Sequence, residues 1–299
     1  MSVRPPYDYS PIVRRAPIEW PDGKRLAVWV GLNVEHFDYG TPSTSIQDVT
    51  AALVPDPLNH GWRDYGTRVG VWRIMDILDR HGVRASVLLN SAVCTEYPEI
   101  IEEGRRRGWV WLAHGRANSI LQTGMEADEE RAYLTEVVET IASHTRVRPK
   151  GWLGPALSET PRTLELLAEL GVGYTCDWCA DDQPFPMRVR GGRMISVPYS
   201  IEVNDIPLCV SKSFTGPDLY QLLVDQFDVL YAESRQIARV MNIAIHPFAV
   251  GQAFRSRHLD RALAYIAGHD DVWLTTSDEI ADWYYTHYYE RDAPPKKRS

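Results

Sequence analysis

The stretch Trp109-Val110-Trp111-Leu112-Ala113-His114-Gly115-Arg116-Ala117-Asn118-Ser119-Ile120-Leu121 decides the fold. Five mostly apolar residues run into a histidine and a glycine, then into arginine, asparagine and serine. A buried strand that stops at such a turn is how a parallel α/β sheet delivers a reactive side chain to its mouth. The same event recurs along the chain with a different polar residue each time. Residues 25–34 are a buried strand ending in Glu35-His36, and 85–90 end in Asn90. Residues 150–153 run into Gly154-Pro155, and 172–177 end in Asp177. Residues 194–199 run toward Glu202, 242–246 end in His246 and 272–275 end in Thr275. Helical patterns fall between them. Val71, Ile74, Met75 and Leu78 share a face before Gly82. Pro98 opens a helix to Arg107, and an acidic helix covers about 126–143. Thr160-Pro161 start a helix to Leu170, and Thr215 caps one that runs toward Met241. Helices over 257–266 and 277–289 complete the set.

About eight strands alternating with about seven helices predict an α/β fold, an irregular (β/α) barrel with seven to eight parallel strands, over an open doubly wound sheet. Residues 1–24 read as an extended arm, 25–289 as a single barrel domain and 290–299 as a disordered tail. Residues 37–66 form an unusually long connection, of the kind that covers a site. That loop and 181–193 are expected to shape the pocket. No glycine-rich fingerprint follows the first strand, so a dinucleotide or P-loop site is not indicated.

The chain has 299 residues, 44% of them hydrophobic, and can bury a substantial core. Its net charge of −8 argues against a nucleic-acid partner. The beginning, MSVRPPYDYS, lacks the apolar core of a signal peptide, and no apolar run is long enough for a bilayer, so a cytoplasmic protein without membrane contact is expected. Four cysteines do not make a disulfide scaffold, and the Cys176/Cys179 pair has no second pair to complete a zinc ribbon.

In a barrel, chemistry collects at the carboxyl ends of the strands. Glu35 could take a proton from water if the rim is dry enough to raise its pKa. His246 could protonate a leaving nitrogen, and His114 with Asn118 could hold a carbonyl. His36 and His114 could instead hold a divalent metal, with Asn118 a poor third ligand. Asp177 could orient a histidine or bind substrate. Backbone amides near Gly115 or Gly154 could serve a developing oxyanion. The remaining histidines (60, 81, 144, 258, 269 and 287) read as surface residues. The aromatic run Trp283-Tyr284-Tyr285 could be a homo-oligomer interface or the packed face of a terminal helix.

Four segments carry a family resemblance over roughly residues 24–285. They are Asn33-Val34-Glu35-His36, His114-Gly115-Arg116-Ala117-Asn118, Gly151-Trp152-Leu153-Gly154-Pro155 and Ile243-Ala244-Ile245-His246. With these the chain resembles the polysaccharide deacetylase superfamily, whose fold is an irregular seven- to eight-stranded α/β barrel. The resemblance puts Glu35 on the family's base and His36, His114 and Asn118 on its metal ligands. A histidine stands where the family has its second aspartate, an asparagine where it has its last histidine, and the arginine of the third segment is absent. Those departures make the chain similar to the cofactor-independent allantoinase and cyclic imide hydrolase branch. The implied activity is hydrolysis of a non-peptide carbon–nitrogen bond in a small, cyclic amide or imide. Glu35, His114 and His246 would be catalytic, and His36, Asn118, Trp152, Pro155 and Asp177 substrate-binding. No cofactor is implied. The alternatives are a deacetylase of an N-acetylated sugar using a divalent metal such as zinc, and a barrel that only binds.

Overall fold

A computed structural model describes residues 4–293. Nine strands appear in chain order: β1 Leu26–Val34, β2 Ala85–Leu89, β3 Val110–Ala113, β4 Gly151–Trp152, β5 Tyr174–Thr175, β6 Phe185–Met187, β7 Met194–Ser196, β8 Arg239–Ile245 and β9 Val272–Thr275. Ten α-helical segments accompany them: α1 Pro57–Tyr65, α2 Val71–Arg80, α3 Val93–Glu96, α4 Pro98–Arg106, α5 Ala127–Thr145, α6 Thr163–Glu169, α7 Gly216–Glu233, α8 Ala253–Ala267, α9 Ser277–His287 and α10 Tyr289–Asp292.

The sheet order is β6-β7-β5-β4-β3-β2-β1-β8, with β9 on the lower half of the β1 edge whose upper half takes β2. Every pairing is parallel except β6 with β7. The sheet curls until the outer edge of β8 meets the segments beside β6 and β7. There Val240 N donates to Asp182 O at 2.8 Å, and Asn204 bridges to Ala244. The result is an α/β half-barrel of the expected kind.

The curl has two cores, separated by the two-residue period of the strands. On β1, Leu26, Val28, Val30, Leu32 and Val34 face the helices. Ala27 and Trp29 face inward with Leu88, Leu112, Leu153, Val240 and Ala244. All nine β1 residues are buried, which is why the strand reads as one apolar run.

Several expectations need correction. The helix capped by Thr215 stops at Glu233, because Arg239–Ile245 is the strand that pairs along β1. Thr160 is no helix cap; its hydroxyl donates to buried Glu130 at 2.6 Å, and α6 begins at Thr163. The long connection carries α1, capped by the Asp56 side chain, and 181–193 carries β6. His258 is buried rather than a surface residue. Trp283-Tyr284-Tyr285 faces the molecule itself. Trp283 Nε1 donates to Glu19 O at 2.8 Å, Tyr285 Oη donates to Gly173 O at 2.5 Å, and Tyr284 is buried. The segment expected to be a disordered tail is helical over Tyr289–Asp292, and residues 294–299 lie outside the described residues. The arm is held down as well: Trp20 is buried with Nε1 on Arg239 O, and Arg15 pairs with Asp181 at 2.5 Å. Among the described residues no helix is long and apolar enough to cross a membrane.

Candidate functional site

The parity that puts Ala27 and Trp29 inside the curl continues upward to Gly31, Asn33 and Glu35. The same inward parity at the other strand ends delivers Asn90, His114 and His246. These four side chains meet at the mouth. Glu35 Oε1 lies 3.4 Å from His114 Nε2 and 3.5 Å from His246 Nε2, and it accepts from Asn118 Nδ2 at 2.6 Å. The far side of each imidazole is also engaged. His114 Nδ1 donates to Leu153 O at 2.6 Å. His246 Nδ1 lies 2.7 Å from Asp205 Oδ1, while Asp205 Oδ2 accepts the backbone amides of His246 and Val250 at 2.8 and 3.1 Å. Both rings are thereby oriented with Nε2 toward Glu35.

Two further residues build this frame, one of them, Asp205, in the 202–205 segment expected to be a second substrate wall or a solvated turn. Asp205 is fully buried and lies on the connection after β7, far in sequence from His246. Asn90, also fully buried, joins three strand ends. Its Oδ1 accepts from His36 N at 2.9 Å, its Nδ2 donates to His114 O, and it lies 3.5 Å from Asn118 Oδ1. Gly115, at φ +67, makes the turn between His114 and Asn118; a Cβ there would come within 2.6 Å of Pro155 and Tyr133.

The electrostatics run against one expectation. Burial opposes ionisation of Glu35, but the His246 charge and hydrogen bonds from both histidines outweigh it and lower the carboxyl to about 2. Burial likewise opposes charging His246, and Glu35 with Asp205 overcomes it, raising the imidazole to about 10. The rim is dry, yet the resting state is a carboxylate beside an imidazolium rather than a raised-pKa acid.

Other expected site residues stand elsewhere. Trp152 has outward parity and is fully buried against the helices, so it cannot touch a substrate at the mouth. His36 also has outward parity. Its Nδ1 lies 3.4 Å from Tyr97 Oη and its Nε2 3.7 Å from Asp38 Oδ1, away from Glu35. Pro155 backs the Gly115 turn. Asp177 accepts from Gly154 N at 2.6 Å and from Thr175 Oγ1 at 3.1 Å, so it faces the frame; this also removes Gly154 N as an oxyanion donor.

The donor set does not fit the divalent metal that the resemblance brings to His36, His114 and Asn118. The His36 ring is turned to Tyr97, and Asn118 presents Nδ2, a donor rather than a metal-binding oxygen, to Glu35. Among the described residues no group of three or more His, Cys, Asp or Glu side chains is arranged to hold a metal ion.

The cluster is nearly closed: Glu35 and His246 are each 7% exposed and His114 2%. Phe248 packs at 5.5 Å from the His246 ring and carries Phe37 and Trp62 edge-on at 5.7 and 4.8 Å. A cavity of about 610 Å³ lies to one side, between the arm and the β7–β8 seam, and none of the three polar residues lines it.

Comparison with known proteins agrees with the fold. Residues 63–175 match the polysaccharide deacetylase family model. The chain is 27% identical to a Schizosaccharomyces pombe protein provisionally named a polysaccharide deacetylase, over 91% of this chain and 94% of that one. A crystal structure of a probable polysaccharide deacetylase from Pseudomonas aeruginosa superposes with a TM-score of 0.83 at 27% identity, covering 90% of this chain and 94% of that one. That of an allantoinase, Puue, superposes at 0.87 with 25% identity, covering 96% and 99%.

Proposed function

We propose, for a chain that belongs to the polysaccharide deacetylase family and is a hydrolase of carbon–nitrogen bonds, that the bond it breaks lies in a small cyclic amide or imide in the cytoplasm. The observation that carries this reading is one carboxylate oxygen held between two oriented imidazoles, in a frame whose donors do not suit a metal. The likeness to an allantoinase over nearly the whole of both chains supports a cyclic substrate.

In this reading the substrate passes the Phe37–Trp62–Phe248 group and its carbonyl enters between Glu35 and His246. Separating that pair restores basicity to Glu35. Water attacks the carbonyl carbon and gives its proton to Glu35 Oε1, while His114 and Asn118 hold the oxygen that gains charge. The tetrahedral species then collapses. The C–N bond breaks, and the nitrogen takes the proton on His246 Nε2. Glu35 now holds a proton and His246 lacks one, and transfer across their 3.5 Å separation restores the resting ion pair.

Purified protein assayed on hydantoin, allantoin, succinimide and dihydrouracil, with and without chelator, tests the proposal. Turnover of at least one ring, unchanged after chelation, is expected. Hydrolysis confined to acetylated amino sugars and lost on chelation would establish the second reading, which the 24% identity to a Helicobacter pylori peptidoglycan deacetylase favours.

A further inference from the structure

One half-buried acidic pair has no part in the steps above. Asp177 follows β5, and Glu159 stands on the connection between β4 and α6. The two side chains are hydrogen-bonded to each other, and Trp178 Nε1 donates to Glu159 Oε1 at 3.1 Å. Asp177 Oδ1 accepts from Gly154 N at 2.6 Å. That N–H belongs to the same peptide group as the Leu153 carbonyl, which accepts from His114 Nδ1 at 2.6 Å. One planar amide is therefore gripped at both ends, by a carboxylate on its N–H and an imidazole on its C=O.

We propose that Asp177, backed by Glu159, is a positioning residue for His114 and acts through the Leu153–Gly154 peptide. A carboxylate on an amide N–H polarises the group and makes its oxygen a stronger acceptor, so hydrogen bonds in such a chain reinforce one another. The result fixes a proton on His114 Nδ1 and aims Nε2 at Glu35 and the mouth. The direct histidine–carboxylate contact seen at His246 with Asp205 is replaced at His114 by a contact one peptide long.

Glu159 keeps the relay charged. Burial raises both carboxyls. The Asp177 charge adds to the rise at Glu159, which reaches about 9; hydrogen bonds from Glu159 and Gly154 limit the rise at Asp177, which reaches about 6. At neutral pH the pair holds one proton, on Glu159, and one charge, on Asp177. The other titratable groups facing the pair are Glu130 from α5, His114 from the end of β3, and Cys176 and Cys179 around β5. The kinetic consequence rests on the hydrolytic reading of the cluster; the state of His114 does not.

The test uses the full chain labelled with ¹⁵N-histidine and long-range ¹H–¹⁵N spectra, with a His114→Asn variant to assign the signal. Wild type is expected to show His114 protonated on Nδ1, with a strongly downfield Nδ1–H. In Asp177→Asn that proton moves upfield, and kcat falls about tenfold with little change in KM, less than for a direct partner because the contact is indirect. Glu159→Gln still donates to Asp177 and keeps the wild-type signal, whereas Glu159→Leu moves it upfield. Should Asp177→Asn fail to fold, the two Glu159 variants decide the matter. An Nδ1–H signal unchanged in Asp177→Asn, or identical in Glu159→Gln and Glu159→Leu, would overturn the relay. If no amide is turned over, the hydrolytic reading fails while the spectra still decide this one.

Discussion

Replacing Asp205 with asparagine removes one buried negative charge while keeping the side chain's shape. Asp205 and Glu35 together hold His246 at about 10 against burial, from an ordinary value of 6.5. Losing one such neighbour lowers a pKa by about 1–3 units. The sign follows from linkage. A group whose pKa is raised on folding stabilises the protein fully below its unfolded value and loses that contribution as pH rises through the folded one. For His246 the contribution is complete below about 6.5 and gone by about 10, falling by about 1.4 kcal/mol per pH unit between. In Asp205→Asn the fall ends 1–3 units sooner. Urea unfolding of both proteins with reductant, across one buffer series, cancels every other titrating group. The destabilisation is therefore expected to be larger at pH 6 than at pH 10, by about 1–4 kcal/mol. The alkaline limb of kcat/KM, which reports the His246 proton, moves down by the same 1–3 units. A pH-independent destabilisation with an unmoved alkaline limb would refute the paired imidazolium.

Glu35→Gln removes the proposed base and is expected to cut turnover by about 10²–10⁴ in steady-state assays; a tenth of the activity remaining would be too much. Gly70→Ala sets a Cβ 2.1 Å from the carbonyl oxygen of Pro247, next to His246. The forced shift should cost about 1–3 kcal/mol in thermal unfolding and also lower kcat, and an unchanged melt would show that the close approach is not real. Trp152→Phe should cost about 1–2 kcal/mol of stability yet leave KM unaltered, because the ring packs among helices; a raised KM would return Trp152 to the substrate side.

Much of this architecture was legible because buried strands write long apolar runs and their ends carry the polar residues. The Trp109–Ala113 run and its His114-Gly115 turn lie where that rule puts them, as does the run from Leu26 to Val34. The helices were legible through caps and periodic faces, except where local signals conflicted. Thr160-Pro161 has the look of a helix start, but tertiary burial recruited the hydroxyl for Glu130 instead. The apolar residues of β8 could continue α7 equally well until β1 claimed them as a partner. The N-terminal arm looked extended and surface-bound, yet Trp20 is among the fully buried side chains.

Strand-end position alone proposed Glu35, His36, His114, Trp152, Asp177 and His246 together, and it could not sort them. Both faces of β1 are apolar, so alternation shows that Glu35 and His36 point oppositely without saying which points in. Only the curl of the sheet decides that, and by one residue's parity it brings Glu35, His114 and His246 together while sending His36 and Trp152 outward. Asp205 and Glu159 lay beyond reach for a related reason. Each acts on a partner brought near by folding rather than by sequence, and a carboxylate in a loop declares its partner only when the chain has closed around it.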